Sequence, residues 1–375
     1  MLFNKGIHSS SDARRLAKRR LPWMVFDYFD GASGEGLGDT LNVQKIRELR
    51  LESRALRNVA ERSLSTTILD QHCNLPFGIA PMGMCNLSRP GADLMLARLA
   101  AEQQIPHCVS TAASTSLEKI ISEAEGNAWF QLYFGGDEAV CYSLMDRAQT
   151  SGYEVLTLTV DVPEVGRRPR ELRHGFKMPF KIGPSQFIDF ALHPFWSIPT
   201  LFSGAPALAN FSGASDSFDR TRSRAGADWD FLARVRDRWK GKLIVKGVLN
   251  TEDAKRIQSA GADAIQVSSH GGRQMESVKP AIHALREIRQ TLGDEFPLIY
   301  DSGIRSGEDI CKAYAMGASF VMLGRPLLFA IAANGERGLQ ELIDVFKVET
   351  SLTLAQLGKV AIAELDRSVI HTQSV

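Results

Sequence analysis

Short apolar runs rich in Val, Ile and Leu recur along the chain: "LPFGIA", "PHCVS", "AWFQLY", "VLTLTVD", "KLIVKG", "DAIQVS", "PLIYD" and "SFVMLG". Between them lie segments such as "GADLMLARLAAEQQ", "DEAVCYSLMDRAQTSG", "TEDAKRIQSAG", "VKPAIHALREIRQTLG" and "SGEDICKAYAMGA", whose apolar residues fall at helical spacing. Several of these end on the glycine expected just beyond a helix. Strand then helix, repeated, predicts an α/β fold, either a (β/α)8 TIM barrel or an open doubly wound sheet. Eight apolar runs are the number a closed parallel barrel needs.

Polar residues separate the two folds. Ser110, Tyr133, Asp161, Lys246, His270, Asp301 and Arg325 each sit at or just beyond the C-terminal end of a predicted strand. In a barrel those ends meet at one mouth, whereas along an open sheet only the groups near the switch point would meet. Convergence favours the barrel, with residues 1–375 as one domain. Residues 1–70 form an N-terminal helical extension, and residues 175–226 form a long variable insertion between the fourth strand and its helix. A connection that long is usually functional or disordered. Its stretch "FIDFALHPFWSIPTLF", within 186–202, is apolar enough for a lid or a peripheral membrane contact, with packing on the barrel or on a neighbouring subunit as the alternative. Near the start, Ser11 is placed to cap a helix bearing Arg14, Arg15, Lys18, Arg19 and Arg20, read as a solvated face, and Pro22 marks its end.

Composition narrows the partners. The chain has 375 residues, a formal net charge of +1 and 44% hydrophobic residues, enough for a large core and without general attraction to nucleic acid. No apolar run is long enough to cross a bilayer. Cys73, Cys85, Cys108, Cys141 and Cys311 show neither disulfide nor zinc spacing, so no metal is expected and the cysteines read as core residues in a reducing compartment. The basic start lacks a signal-peptide core, which places the protein in the cytoplasm, with the inner membrane face as a peripheral location.

The turn "VSSHGGRQME" carries the densest chemistry. His270 shares the mouth with Asp161, which would orient it as a general base, and Gly271 and Gly272 let the chain turn so that Arg273 comes back to the same space. Arg168, from "VDVPEVGRRPR", adds a second planar guanidinium; with Tyr28 and Tyr133 the pair reads as a clamp for a carboxylate. "YDSGIRSGED" and "VMLGRPLLF" place glycine beside arginine on the last two strands, where barrels commonly bind phosphate. Lys246 needs an anion: either a structural partner, Asp161 or Asp301, or a reduced cofactor ring hydrogen-bonded by Gln131, Thr159 and Ser110.

Taken in order, "LPWMVFDYFDGASGEG", "GIAPMGM", "WFQLY", "LTVDVPEVGRR", "LIVKGV", "SSHGGRQ", "DSGIRSGEDICKAYAMGA" and "LGRPLL" resemble the FMN-dependent 2-hydroxy acid dehydrogenase and oxidase family, which includes glycolate oxidase, L-lactate dehydrogenase and mandelate dehydrogenase. The resemblance implies oxidation of an L-2-hydroxy acid to the 2-keto acid. His270 would take the proton, Asp161 support it, Arg168, Arg273 and Tyr28 hold the carboxylate, and Tyr133 contact the hydroxyl or the developing carbonyl. It also implies an FMN site built from Ala80, Pro81, Gly83, Ser110, Gln131, Thr159, Lys246, Ser268, Asp301, Gly303, Arg305, Gly324 and Arg325, and a homotetrameric assembly. The order of proton and electron transfer is left open. The chain departs from the family's common residues at Met82, Ser269 and Ser302. Glycine at 83 favours a dehydrogenase passing electrons to a quinone or another acceptor over a peroxide-forming oxidase, and Ala112 leaves room for a larger or branched side chain, with small lactate-like acids as the alternative. A different FMN barrel enzyme and a non-catalytic flavoprotein are the rival readings.

Overall fold

The computed structural model describes residues 6–176, 182–211 and 224–371. Three helices precede the sheet: α1 (Ser10–Arg20), α2 (Trp23–Asp30) and α3 (Leu37–Glu48). The cap of α1 differs from expectation. The Ser9 side chain, not Ser11, accepts from the Asp12 amide, because α1 begins at Ser10 and Ser11 already lies in its first turn. Pro22 stands between α1 and α2, where its ring cannot continue the first helix. On the basic face, Arg15 pairs with Asp12, Arg14 with Asp30, and Arg20 lies over the Phe195 ring.

An antiparallel hairpin unmarked by the apolar pattern follows, β1 (Thr66–Ile68) with β2 (Gln71–Cys73). The eight expected runs then form β3 (Phe77–Ile79), β4 (His107–Ser110), β5 (Ala128–Tyr133), β6 (Val155–Thr159), β7 (Lys242–Val248), β8 (Ala264–Val267), β9 (Leu298–Tyr300) and β10 (Phe320–Leu323). All pair in parallel, and β10 closes on β3. These strands are apolar on both faces because one face fills the barrel and the other meets helices. The barrel interior holds Cys108, Trp129, Val155, Ile244, Ile299 and Phe320. The hairpin adds Ile68 and Cys73 to that cluster, and Gln71 accepts from the Trp129 indole at 3.0 Å, so β1 and β2 stop the N-terminal end of the barrel.

The outer layer comprises α4 (Ala92–Gln103), α5 (Leu117–Glu123), α6 (Glu138–Thr150), α10 (Trp229–Arg238), α11 (Thr251–Ser259), α12 (Ala281–Leu292), α13 (Gly307–Ala315) and α14 (Arg325–Gln356). The insertion after β6 carries α7 (Pro169–Arg173), α8 (Pro184–Leu192) and α9 (Pro194–Ser203). The parts of the 175–226 variable loop at 177–181 and 212–223 lie outside the described residues. All five cysteines are free and buried. No helix among the described residues is long and apolar enough to cross a membrane.

Candidate active site

The C-terminal ends of the strands open into one cavity of about 490 Å³. Ser110, Tyr133, Lys246, His270, Asp301 and Arg325, each from a different strand end, line it, and Asp161 stands behind His270. A parallel barrel aims every strand's C-terminal end at the same side, so residues up to 215 positions apart in sequence, from Ser110 to Arg325, become neighbours.

His270 is held from both ends of its ring. Nδ1 lies 3.0 Å from Asp161 Oδ1, and Nε2 lies 3.3 Å from the Tyr133 hydroxyl. An ionised Asp161 only accepts, which places the ring proton on Nδ1 and leaves Nε2 as the basic nitrogen. Burial pushes the His270 proton affinity below the ordinary histidine value, opposed by Asp161 and reinforced by Lys246. For Asp161, burial works upward, but the charge and hydrogen bond of His270, with Lys246, hold the carboxyl below the usual range. Gly247 makes room for this pair: its φ is +101°, and a Cβ there would lie 2.4 Å from the Asp161 carboxyl carbon. Burial also pushes the Tyr133 phenol up to about 12, so it stays a neutral hydrogen-bonding group.

Arg168 and Arg273 face the same cavity. Arg273 donates to the carbonyls of Tyr28 and Gly31 at 2.7 and 2.8 Å and to Glu171 Oε1 at 2.9 Å, and its guanidinium lies over the Tyr28 ring. Arg168 reaches the Arg273 carbonyl, Gln274 and the same Glu171 oxygen at 3.3–3.5 Å. The longer contacts leave Arg168 the less committed of the two. Gly272, at φ +72° and packed on the Asp39 amide, permits the close turn that returns Arg273 to α2.

The residues expected to hold FMN fall into two groups, one expected at its ring and one expected at its phosphate. On the ring side, Ser110 donates to Gln131 Oε1 at 3.0 Å. Lys246 donates to Ser268 at 2.9 Å and lies 3.4 Å from Asp301, so its structural counter-ion is Asp301. Burial works against the Lys246 charge, but Asp301 and Asp161 outweigh it and raise its proton affinity. Gln131 Nε2 and Thr159 Oγ1 are buried without a hydrogen-bond partner in the protein. Such atoms are costly unless a bound group satisfies them, and a donor-rich and acceptor-rich heterocycle such as the isoalloxazine of FMN fits that need. Gln131, Thr159 and Ser268 are buried and do not line the cavity, while Ala80, Pro81, Gly83, Ser110, Lys246, Asp301, Gly303, Arg305, Gly324 and Arg325 do. On the phosphate side, α14 begins at Arg325, so its positive dipole end faces the same space, although Pro326 has no N–H and the Leu327 amide is bonded to the Gly324 carbonyl at 3.0 Å. Asp39 Oδ1 holds both Arg305 and Arg325 at 3.1 Å. Met82 and Ser302 also line the cavity, whereas Ser269 is buried and accepts from Asn42 at 2.8 Å.

Sequence reasoning missed Glu171, Gln274 and Asp39, and the pocket wall formed by Phe176, Leu208 and Arg224. Glu171 had a local signal, an acid three residues after Arg168 in a short helical stretch. Asp39 had none, lying 266 and 286 positions from the arginines it joins.

Residues 17–372 match the family model described as FMN-dependent dehydrogenase. The chain is 35% identical to (S)-mandelate dehydrogenase of Pseudomonas putida, over 99% of this chain and 96% of that protein. It is 33% identical to L-lactate dehydrogenase of Pseudomonas syringae pv. syringae (strain B728a), over 97% and 98%. A solved structure described as the monotopic membrane protein (S)-mandelate dehydrogenase superposes with a TM-score of 0.93 at 35% identity, covering 97% of this chain and 99% of the other. A mandelate oxidase structure gives 0.83 at 33% identity, covering 95% and 96%. With the barrel, the His270–Asp161 pair and the two arginines in place, the chain is therefore an enzyme of the FMN-dependent 2-hydroxy acid dehydrogenase family, with FMN as its cofactor.

Proposed function

We propose that the protein oxidises an L-2-hydroxy acid with a sizeable apolar side chain to the 2-keto acid and passes the electrons to a membrane quinone. One observation carries the chemistry: a buried His–Asp pair at 3.0 Å and two guanidiniums share one cavity. Arg168 and Arg273 bind the substrate carboxylate, displacing Glu171 from between them. Tyr133 orients the hydroxyl, and His270 Nε2 takes a substrate proton while Asp161 stabilises the imidazolium. FMN, when bound, receives the two electrons and the second hydrogen given up as the alcohol becomes a ketone. Lys246 supplies positive charge where the reduced ring carries negative charge.

The L configuration is supported by the names of the relatives, (S)-mandelate and L-lactate dehydrogenase. A sizeable side chain is supported by Ala112, Val165, Phe176 and Leu208, which make the outer wall apolar and leave it open at Ala112. The acceptor is supported by α8 and α9, which expose Phe187, Ile188, Leu192, Phe195, Leu201 and Phe202, the last two at 81% and 85%. Such a patch is larger than solvent favours and suits a lipid surface. The same insertion supplies Phe176 and Leu208 to the cavity wall, which supports an acceptor drawn from the lipid phase. Gly83 agrees with a dehydrogenase; a Cβ there would press on Ala112 at 3.1 Å. The experiment is anaerobic bleaching of the bound FMN across L- and D-2-hydroxy acids, followed by reoxidation with a short-chain quinone or with air. L-specific bleaching and faster reoxidation by quinone are expected. Bleaching by no 2-hydroxy acid would refute the activity, and rapid stoichiometric peroxide formation without quinone reduction would refute the acceptor.

A further inference from the structure

Ser302 stands in backbone that a side chain rarely adopts, with φ +85°. Glycine would take this conformation without strain, so a serine held there needs compensation. Its hydroxyl provides it. The oxygen accepts from the amides of Ser269 and Gly271, both at 3.1 Å, and donates to Asp301 Oδ1 at 2.7 Å. One donor and two acceptor sites are all that a hydroxyl offers, so the group is fully used.

The two amides flank His270, which is itself in left-handed backbone at φ +55°. The amide between them, that of His270, is bound by a second serine: it donates to Ser268 Oγ at 3.0 Å. Ser268 repeats the pattern, accepting also from Lys246 at 2.9 Å and donating to the same Asp301 oxygen at 2.6 Å. Three consecutive amides around the histidine are thus tied through two hydroxyls to one carboxylate oxygen. That carboxylate is the counter-ion of Lys246.

We propose that Ser302 is a positioning residue for His270: with Ser268 it fixes the strained turn so that Nε2 faces the substrate, and through Asp301 it joins that turn to the charge of Lys246 at the ring side of the cofactor. This rests on His270 being the base. Without the Ser302 hydroxyl, two amides of the turn lose their acceptor, and of the three only the His270 amide keeps one, on Ser268. Arg273 of the carboxylate clamp follows in the same turn, but its guanidinium is held independently by the Tyr28 and Gly31 carbonyls and by Glu171, and Arg168 stands on another segment, so the clamp is expected to keep its place.

The test is anaerobic reduction of bound FMN by an accepted 2-hydroxy acid, for the FMN-loaded wild type, Ser302→Gly, His270→Gln and the double variant. Glycine suits the backbone at 302, so the fold and FMN content are expected to persist. The reduction rate at saturating substrate should fall about 10- to 100-fold, the scale on which a small misplacement of a reacting group acts, while the substrate Kd stays within about threefold. In the His270→Gln background, adding Ser302→Gly should change the rate by less than about twofold, because the hydroxyl acts through the histidine. A wild-type rate in Ser302→Gly, an equal loss in both backgrounds, loss of FMN, or a change confined to Kd would each overturn the inference alone. A wild-type rate in His270→Gln would overturn the assignment of the base, and this inference with it.

Discussion

Replacing Asp161 by asparagine probes the charge proposed to support His270 as the base. Asp161 Oδ1 lies 3.0 Å from His270 Nδ1, and the two side chains are only 15% and 17% exposed, so solvent screens the pair weakly. Two unit charges about 4 Å apart interact by about 4 kcal/mol at an effective dielectric of about 20. That attraction matters when the imidazolium forms. Asparagine keeps the shape and a neutral hydrogen bond worth about 1 kcal/mol, leaving a loss of about 3 kcal/mol, or about 150-fold in rate. The assay is stopped-flow bleaching of FMN under anaerobic conditions, fitted for rate and substrate Kd. Asp161→Asn should reduce FMN about 100-fold more slowly with little change in Kd. The pH dependence has a definite sign. Burial lowers the His270 proton affinity and Asp161 raises it, so removing Asp161 lowers it further and moves the acid limb of the rate profile to lower pH. A variant within about threefold of the wild-type rate would refute the proposed part of Asp161, since the electrostatic loss predicts far more.

Three further outcomes follow from other parts of the molecule. In Arg273→Lys, a single ammonium cannot span the Tyr28 and Gly31 carbonyls and a substrate carboxylate, so substrate Kd should rise about 10- to 100-fold in the same titration, with a smaller effect on the saturated rate. His107 is fully buried, its Nδ1 has no hydrogen-bond partner, and burial lowers its pKa to about 3. Between about pH 6.5 and pH 3 the unfolded chain then binds more protons than the folded one, so stability falls on acidification; urea titrations should show His107→Gln sparing about 4–5 kcal/mol of that loss. In Leu201→Glu with Phe202→Glu, two exposed apolar side chains worth about 1.5–3 kcal/mol each on burial are lost, so co-sedimentation with lipid vesicles should fall about 10-fold or more while anaerobic reduction by soluble substrate is unchanged.

The eight barrel strands were legible because parallel strands covered on both faces must be apolar runs, and little else in a chain of this kind is. The hairpin at the barrel's N-terminal end was not: its strands are three residues long, and one of them reads Gln71, His72, Cys73, without alternation. The cap of α1 fell two residues from its predicted place because four successive positions, His8 to Ser11, include three serines, and only the backbone decides which of them precedes the first turn. The site was legible where chemistry sits on strand ends, as for His270, Lys246 and Arg325, since topology alone brings those together. It was not legible for Glu171, Gln274 and Asp39, whose importance lies in meeting an arginine from another element. Nor could the departure at Ser302 be read as a connection, since its partners are backbone amides one strand away.

The most direct measurement is a crystal structure of the FMN-loaded protein with a bound 2-keto acid product. The carboxylate should lie between the Arg168 and Arg273 guanidiniums in place of Glu171, with the keto oxygen about 3 Å from His270 Nε2 and the Tyr133 hydroxyl. A product seated elsewhere, with both arginines still on Glu171 and the imidazole turned from the ligand, would contradict the account.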